Sequence, residues 1–388
     1  MLQLDGCPDK WGPEKILLVH DAASGLSGVL VVDNTALGPG KGGIRMQPDL
    51  TVHEVFRLAR AMTWKNALAG LPFGGAKAGI KSGATSPAEK QALVRAFARG
   101  LRQLVPSVYV AGPDMRTGEG EMAAFASELC NCRAATGKPA SEGGLPHELG
   151  STGFGVAEAA EVALEHAGIG IVGASVALEG FGNVGTFAAR FLTEKGAKVV
   201  AVSDSRGAVF NKNGLDIDSL VEWKEVDKKS VSAFAGGKAI SSSELFALQV
   251  DVLVPGARPD SINAGNINSI KAKIVVEAAN VPVSEDIDGE AGEAMLAQKG
   301  VLVVPDFVAN AGGVISSYVE FIGGDEGKMF SMVREKIRAN TILVLKTAKE
   351  DGVPPREAAM GIAQKRVRED MERRAADEKK QQKLPRGD

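Results

Sequence analysis

Three lysines fall within 37 residues of one another in surroundings that rarely hold a lone charge. Lys41 stands in GPGKGGIRM, Lys65 in MTWKNALAGL and Lys77 in LPFGGAKAGI. An ammonium group is almost never fully buried without a partner. Taken singly, each reads equally well as a loop lysine or as a helix lysine whose stem covers apolar surface. Taken together they describe a cationic pocket suited to a small substrate bearing carboxylates. The glycine pairs at 42–43 and 74–75 remove side-chain bulk beside Lys41 and Lys77, so a ligand or a second backbone can come close. Desolvation and neighbouring like charges lower a lysine pKa toward neutrality and make the amine a usable base or nucleophile. Asp114 follows a Gly-Pro turn in VAGPDMRT and is either an Asx-turn carboxylate or a partner in that chemistry. The four histidines form no HxxxH or HExxH pattern and the three cysteines form no CxxC pair, so no metal site is expected. Acid and base work then falls to lysine and carboxylates.

A second constellation lies further along. The apolar run at 176–179 leads into Gly180-Phe181-Gly182-Asn183-Val184-Gly185, then into a helical stretch, then into KVVAVSD, which ends at Asp204, 24 residues after Gly180. Strand, glycine turn, helix, strand and terminal acid in that order are the context a dinucleotide fingerprint requires. Gly180 serves the tight turn, Gly182 admits the pyrophosphate and Gly185 allows close helix packing, with the helix N-terminus facing the phosphates. Asp204 suits the ribose hydroxyls of NAD, whereas Arg206 either neutralises the extra phosphate of NADP or is a solvated loop charge. NAD is the favoured cofactor, and NADP or dual use stays open.

The elements that must hold these residues follow from the hydrophobic pattern. Strand-like runs occur at 16–20 and 28–32. A helix over 51–69 buries Val55, Leu58, Ala59 and Met62, and a second runs from 87 to 104 behind an N-cap Ser86, with Pro87 at the first helical position and Glu89 at the capping-box position. From about 151, short apolar strands at 175–179, 198–204, 250–255, 273–278 and 301–305 alternate with helices, the sign of βαβ units and a parallel sheet. Helices at 332–349 and 356–371 flank a break at Asp351-Gly352 and Pro354-Pro355, and the charged residues after 371 read as frayed. The expected fold is α/β: a mixed α+β domain over 1–150, a doubly wound Rossmann-type domain over 151–330, and C-terminal helices with a charged tail over 331–388 returning toward the first domain.

The 388 residues include 47 glycines without a G-X-Y period, set among 44% hydrophobic residues, which excludes collagen-like and low-complexity chains. A net charge of −3 gives no electrostatic reason to expect nucleic acid or an anionic membrane. No apolar run approaches a membrane span, and the N-terminus has no signal-peptide pattern. A cytoplasmic protein with a small-molecule partner is expected.

Seven stretches, GPGKGGIRM, MTWKNALAGLPFGGAKAGI, AGPDMRT, STGFGV, ALEGFGNVG, AVSDSRG and VANAGGVISSYVE, together resemble the successive signatures of the glutamate/leucine/phenylalanine/valine dehydrogenase family. The match runs in order from about residue 17 to 351. It implies NAD(P)-dependent oxidative deamination of an L-amino acid, reversible as reductive amination of a 2-oxo acid. By this resemblance Lys65 binds the substrate α-carboxylate, Lys77 activates the attacking water and Asp114 shuttles protons. Thr152 anchors the carboxamide, and Asn280 and Asn310 line the nicotinamide side. The two domains are expected to close over the substrate, and a homo-oligomer, with a hexamer favoured, is expected.

Members acting on glutamate carry a lysine and a serine where this chain has Lys41 and Ser317, and both hold the side-chain carboxylate. Against a leucine side chain Lys41 would stay uncompensated, at a cost of several kcal/mol. The expected substrates are therefore L-glutamate, or 2-oxoglutarate with ammonia. A leucine/valine-type dehydrogenase is the alternative, suggested by the branched-chain look of the first 40 residues. A non-catalytic NAD-binding regulatory subunit is the alternative of another class, which loss of Lys65, Lys77 or Asp114 would mark.

Overall fold

A computed structural model describes residues 8–146, 149–226, 228–287 and 289–382; Cys7 and His147 lie outside them. Its contacts divide the chain into two compact units. The first comprises Met1–Leu149, Ser316–Lys328 and Gly361–Asp388, and the second Gly150–Ile315 and Met329–Met360.

The first unit is built on strands β1 (Lys15–Asp21), β2 (Leu26–Asn34), β3 (Gly40–Gln47), β4 (Gly74–Lys81) and β5 (Tyr109–Pro113), with helices α1 (Val52–Leu68), α2 (Pro87–Leu101) and α3 (Glu119–Glu128). The sheet order is β1-β2-β4-β3-β5. β1, β2 and β4 pair antiparallel, while β3 runs parallel to both β4 and β5. One face packs Leu30, Val32, Ile44 and Ile80 against Phe97 of α2, and the other sets Val29 and Val31 against Val55, Phe56 and Ala59 of α1. Thr51 caps α1 by accepting from the Glu54 amide at 3.1 Å. Ser86 caps α2 in the same way, accepting from Glu89 N at 3.3 Å. α2 ends at Leu101, three residues earlier than its periodicity suggests.

The loop reading open for Lys41 and Lys77 is corrected here, because both lie within strands. Glycine normally weakens a strand, which hides β3 and β4 from a propensity argument. These strands are glycine-rich because their neighbours come so close. A Cβ on Gly42 would stand 1.7 Å from the Ala76 carbonyl oxygen, and one on Gly75 would stand 2.0 Å from Thr63 Oγ1 on α1.

The second unit begins with α4 (Ser151–His166) and continues through β6 (Ser175–Glu179), α5 (Asn183–Glu194), β7 (Lys198–Asp204), β8 (Gly207–Phe210), α6 (Ile217–Glu225), β9 (Lys238–Ile240) and α7 (Ser242–Phe246). β10 (Val252–Pro255), β11 (Ile274–Val276), α8 (Gly292–Gln298), β12 (Leu302–Val304) and α9 (Asp306–Ala309) complete its sheet and cover. The strand order is β12-β11-β10-β6-β7-β8-β9. From β8 to β12 this is the 3-2-1-4-5-6 arrangement of doubly wound dinucleotide-binding sheets. The sheet is parallel as expected from β12 to β7, and only at its far edge do β8 and β9 run antiparallel. Only residues 205 and 206 separate β7 from β8. A parallel crossover needs a dozen or more residues, so this link can form only a hairpin.

Three helices follow: α10 (Gly312–Phe321), α11 (Glu326–Asp351) and α12 (Pro355–Gln382). The reading of the charged stretch as frayed is also corrected, because α12 continues through it to Gln382, and 383–388 lie outside the described residues. Charge pairs one turn apart support it, Asp370 with Arg373 at 2.6 Å and Asp377 with Lys380 at 3.6 Å.

Candidate active site

Parallel pairing of β4, β3 and β5 gathers three of the sequence-predicted residues in the first unit. Lys77 on β4 is buried, with its Nζ 3.1 Å from Oδ1 of Asp114, just past the end of β5. The other carboxylate oxygen, Oδ2, accepts from Arg45 Nε at 2.7 Å, and Arg45 in turn pairs with Glu54 at 2.8 Å. Asp114 is thus no Asx-turn residue. Its amide donates to Thr117 Oγ1 while its carboxylate faces the two cations. Burial pushes the Lys77 pKa down, and Asp114 only partly offsets this. Burial pushes Asp114 up, but Lys77 and Arg45 outweigh it and hold the carboxyl below its ordinary range.

Lys41, on β3, is 3% exposed and donates to the Ala111 carbonyl at 2.5 Å. Among the described residues no carboxylate lies within ion-pair distance of it. Burial lowers its pKa to about 7, partly offset by Glu320. Gly112 opposes Gly43 across the β3–β5 pair. A Cβ on Gly112 would stand 2.7 Å from Lys41 Nζ and 3.8 Å from Thr136 Oγ1. Thr136 Oγ1 is itself buried and has no hydrogen-bond partner among the described residues. An ammonium with unused donors and an orphaned hydroxyl therefore both lie beside Gly112, a pairing of groups that suits a carboxylate.

Ser317 and Glu320 lie one turn apart on α10, and Ser317 is half-buried. Glu320 accepts from Lys138 Nζ at 2.5 Å, Gly137 N at 2.8 Å and Leu145 N at 2.9 Å. These bonds fix that turn of α10 within the first unit. Lys65 is half-buried on the last turn of α1, next to Asn66, whose side-chain amide ties α1 to the Gly74 carbonyl on β4 at 2.7 Å.

In the second unit, a cavity of about 790 Å³ opens at the end of β6, lined among others by Gly180, Gly182, Asp204, Arg206, Lys224 and Ala257. Gly180 holds φ at +96°, a value side-chain-bearing residues avoid. A Cβ on Gly185 would meet the Gly180 carbonyl oxygen at 1.9 Å, whereas one on Gly182 would meet nothing within 4 Å. Turn, close packing and open approach thus fall on the three glycines in the order a pyrophosphate needs. Helix α5 starts at Asn183 and Val184 with no side-chain cap, which leaves its first amides for a ligand. Glu179, which the sequence reading passed over, receives the amides of Gly256 and Ala257 at 3.1 and 3.0 Å, and burial raises its pKa.

Asn310 Nδ2 donates to Asn280 Oδ1 at 3.1 Å, so these two predicted residues meet. Asn310 Oδ1 is buried without a partner among the described residues. Thr152 lies in the first turn of α4, where a Cβ on Gly313 would come within 3.1 Å of its Oγ1. Behind Asn280 and Asn310, Arg356 bonds Glu277 at 2.7 Å, Asp306 at 2.8 Å and also Glu293. Asp306 receives the Val281 amide at 3.0 Å, so this cluster anchors the segment bearing Asn280. The open Gly182, the uncapped helix and the orphaned Asn310 oxygen fit a dinucleotide.

Comparison with known proteins agrees with that geometry. The family described as Glutamate/Leucine/Phenylalanine/Valine dehydrogenase matches residues 143–375, and its dimerisation domain matches residues 13–131. The chain belongs to the Glu/Leu/Phe/Val dehydrogenase family. Among members of this family, the chain is 40% identical over 353 residues to a glutamate dehydrogenase of Aeropyrum pernix, covering 86% of this chain and 83% of that protein. It is 37% identical over 346 residues to an NADP-specific glutamate dehydrogenase of Saccharolobus shibatae, covering 85% and 80%. Among solved structures, the hetero-hexameric glutamate dehydrogenase of Thermus thermophilus in a leucine-bound form superposes with a TM-score of 0.80 at 29% identity, covering 93% of this chain and 90% of that one.

For a member of the dehydrogenase family, the sequence reading omitted Arg45, Thr136 and the Lys138–Glu320 pair. Arg45 carried a signal, since it shares β3 and its alternating face with Lys41. Thr136 carried none, because its importance comes from a missing partner.

Proposed function

We propose that this chain is a glutamate dehydrogenase, converting L-glutamate, NAD(P)⁺ and water to 2-oxoglutarate, ammonium, NAD(P)H and a proton. The observation that carries this reading is Lys41, a buried ammonium whose one hydrogen-bond acceptor among the described residues is the Ala111 carbonyl, beside the orphaned Thr136 hydroxyl. A leucine side chain there would leave both uncompensated, at a cost of several kcal/mol. A γ-carboxylate satisfies both, with Ser317 as a further donor.

In this reading Lys65 pairs with the α-carboxylate and fixes the Cα. A nicotinamide held by Thr152, Asn280 and Asn310 would supply the hydride acceptor for Cα. Lys77, whose pKa burial lowers, takes a proton from the water that adds to the imino carbon. Asp114, held ionised by Lys77 and Arg45, carries protons to and from the nitrogen that leaves as ammonia. Lys41 and Ser317 orient the far end, so that the reacting carbon keeps one position. The first unit is the substrate and oligomerisation domain and the second holds the cofactor. There Gly180, Gly182, Asn183, Val184 and Gly185 cradle the pyrophosphate, Asp204 and Arg206 stand at the adenosine end, and Thr152, Asn280 and Asn310 orient the nicotinamide.

The working form is a cytoplasmic homo-oligomer, with a hexamer favoured. Free, exposed Cys130 and Cys132 suit a reducing compartment. Among the described residues no helix is long and apolar enough to cross a membrane. A spectrophotometric screen of glutamate, leucine, valine and phenylalanine with each nicotinamide cofactor tests the assignment. Glutamate should give the highest kcat/KM, and a preference for leucine would overturn it.

A further inference from the structure

An aspartate that selects NAD must offer free carboxylate oxygens to the two ribose hydroxyls and an unscreened negative charge against a 2′-phosphate. Asp204 is deprived of both. Its Oδ1 already accepts from Arg206 N at 2.8 Å and Ser230 Oγ at 3.1 Å, and its Oδ2 from Val231 N at 3.0 Å. A carboxylate has about four acceptor positions, so three are occupied before any ligand arrives, and the side chain is 6% exposed. Two cations also screen it. Lys224 Nζ stands 4.0 Å from Oδ2, and Arg206 Nη2 stands 3.9 Å from the same oxygen. The three side chains together carry one net positive charge at the lip of the cavity.

The two cations differ in how firmly they are held. Arg206 is 55% exposed on the hairpin between β7 and β8. Lys224 reaches in from α6 and is pinned by donating to the Phe181 carbonyl at 2.5 Å, within the glycine turn itself. Its ammonium also lies 5.6 Å from the centre of the Phe181 ring. One of its three donors is used, so two remain, and Lys224 lines the cavity.

We infer that the adenosine end of this cavity is a 2′-phosphate subsite built on Lys224, so that the chain takes NADP in preference to NAD. The inference rests on the dinucleotide-binding reading of the second unit. It assigns selectivity to a lysine on α6 and leaves Asp204 as a hairpin anchor that tolerates the phosphate.

Binding of 5′-AMP and 2′,5′-ADP, measured by calorimetry on the full-length protein, tests the inference without any turnover. The wild type should hold 2′,5′-ADP at least about tenfold more tightly than 5′-AMP, as expected for a new charge-assisted contact. Lys224→Met should remove most of that advantage with a smaller loss for 5′-AMP, and Lys224→Arg should restore it. Equal affinity for the two nucleotides in the wild type, or an undiminished 2′,5′-ADP advantage in Lys224→Met, would overturn the subsite. Failure to bind either nucleotide or NADH would instead overturn the dinucleotide-binding reading on which the subsite rests.

Discussion

Lys77 Nζ and Asp114 Oδ1 stand 3.1 Å apart, joining the interior of β4 to the residue after β5. Each shifts the other toward the charged state, yet burial leaves the lysine less basic than usual. A lysine made less basic by burial and a carboxylate held ionised thus share one contact, the arrangement that the proposed deamination would use.

Asp114→Asn should reduce kcat by roughly 10²-fold or more, the usual range for losing a positioned acid–base group, while NADH binding stays within about twofold. Because the Asp114 charge raises the Lys77 pKa, its removal should move the acidic limb of the pH–rate profile to lower pH. Rapid-mixing kinetics between pH 6 and 10 would read both effects. An acidic limb that stays in place would separate Lys77 from Asp114.

The Lys41 pKa of about 7 predicts a pH-dependent affinity for glutamate. The charged amine binds a carboxylate and the neutral amine does not, so KM for glutamate should rise as pH climbs above about 7. Lys41→Leu should raise KM about tenfold to a hundredfold, the worth of a charged hydrogen bond, and flatten this pH dependence. A wild-type KM that is constant from pH 6.5 to 9 would count against the assignment.

Gly112 sets the room around that ammonium. Gly112→Ala would bring a Cβ to 2.7 Å from Lys41 Nζ, which must move because the neighbouring strand backbone cannot. KM for glutamate should increase several-fold, and Gly112→Val should do more, with thermal melting little changed in the alanine variant. A lower KM in Gly112→Ala would show that the side chain fills space the substrate does not use.

Arg356 bonds three carboxyl groups at once. Arg356→Met should destabilise the protein by about 3–5 kcal/mol, the cost of stranding buried charge. Glu277 has its pKa raised well above the ordinary range by burial and by Glu293. A raised carboxyl pKa means the folded state prefers the proton, so this group's stability contribution falls as pH rises from the unfolded value of about 4.3 toward the folded one. The variant's deficit should therefore be larger at pH 8 than at pH 5 in urea titrations. An equal deficit at both would assign the loss to packing.

The second unit was largely readable in the sequence, because βαβ periodicity and the glycine fingerprint are local signals. The start of α2 followed from Ser86 for the same reason. β3 and β4 were not readable, since Gly42, Gly43, Gly74 and Gly75 lower strand propensity, and the close neighbours that require glycine are distant in sequence. The antiparallel β8 follows a two-residue link that is too short for a parallel crossover. Lys41, Lys77 and Asp114 were legible by type. Glu320 was not, because its partners lie on distant segments, and Thr136 was not, because what marks it is a missing partner.

The glycine contacts that hide β3 and β4 also bear on how this enzyme can be redesigned. Positions 42 and 75 face carbonyl, amide and hydroxyl atoms at distances no side chain tolerates, so a saturation library there should return only the parent residue. Position 112 meets the mobile end of a lysine, and Lys41 and Ser317 are themselves replaceable side chains. Altered amino acid preference should therefore be sought by randomising 41, 112, 136 and 317 on an unaltered backbone, and a selection for new substrates should find its mutations there.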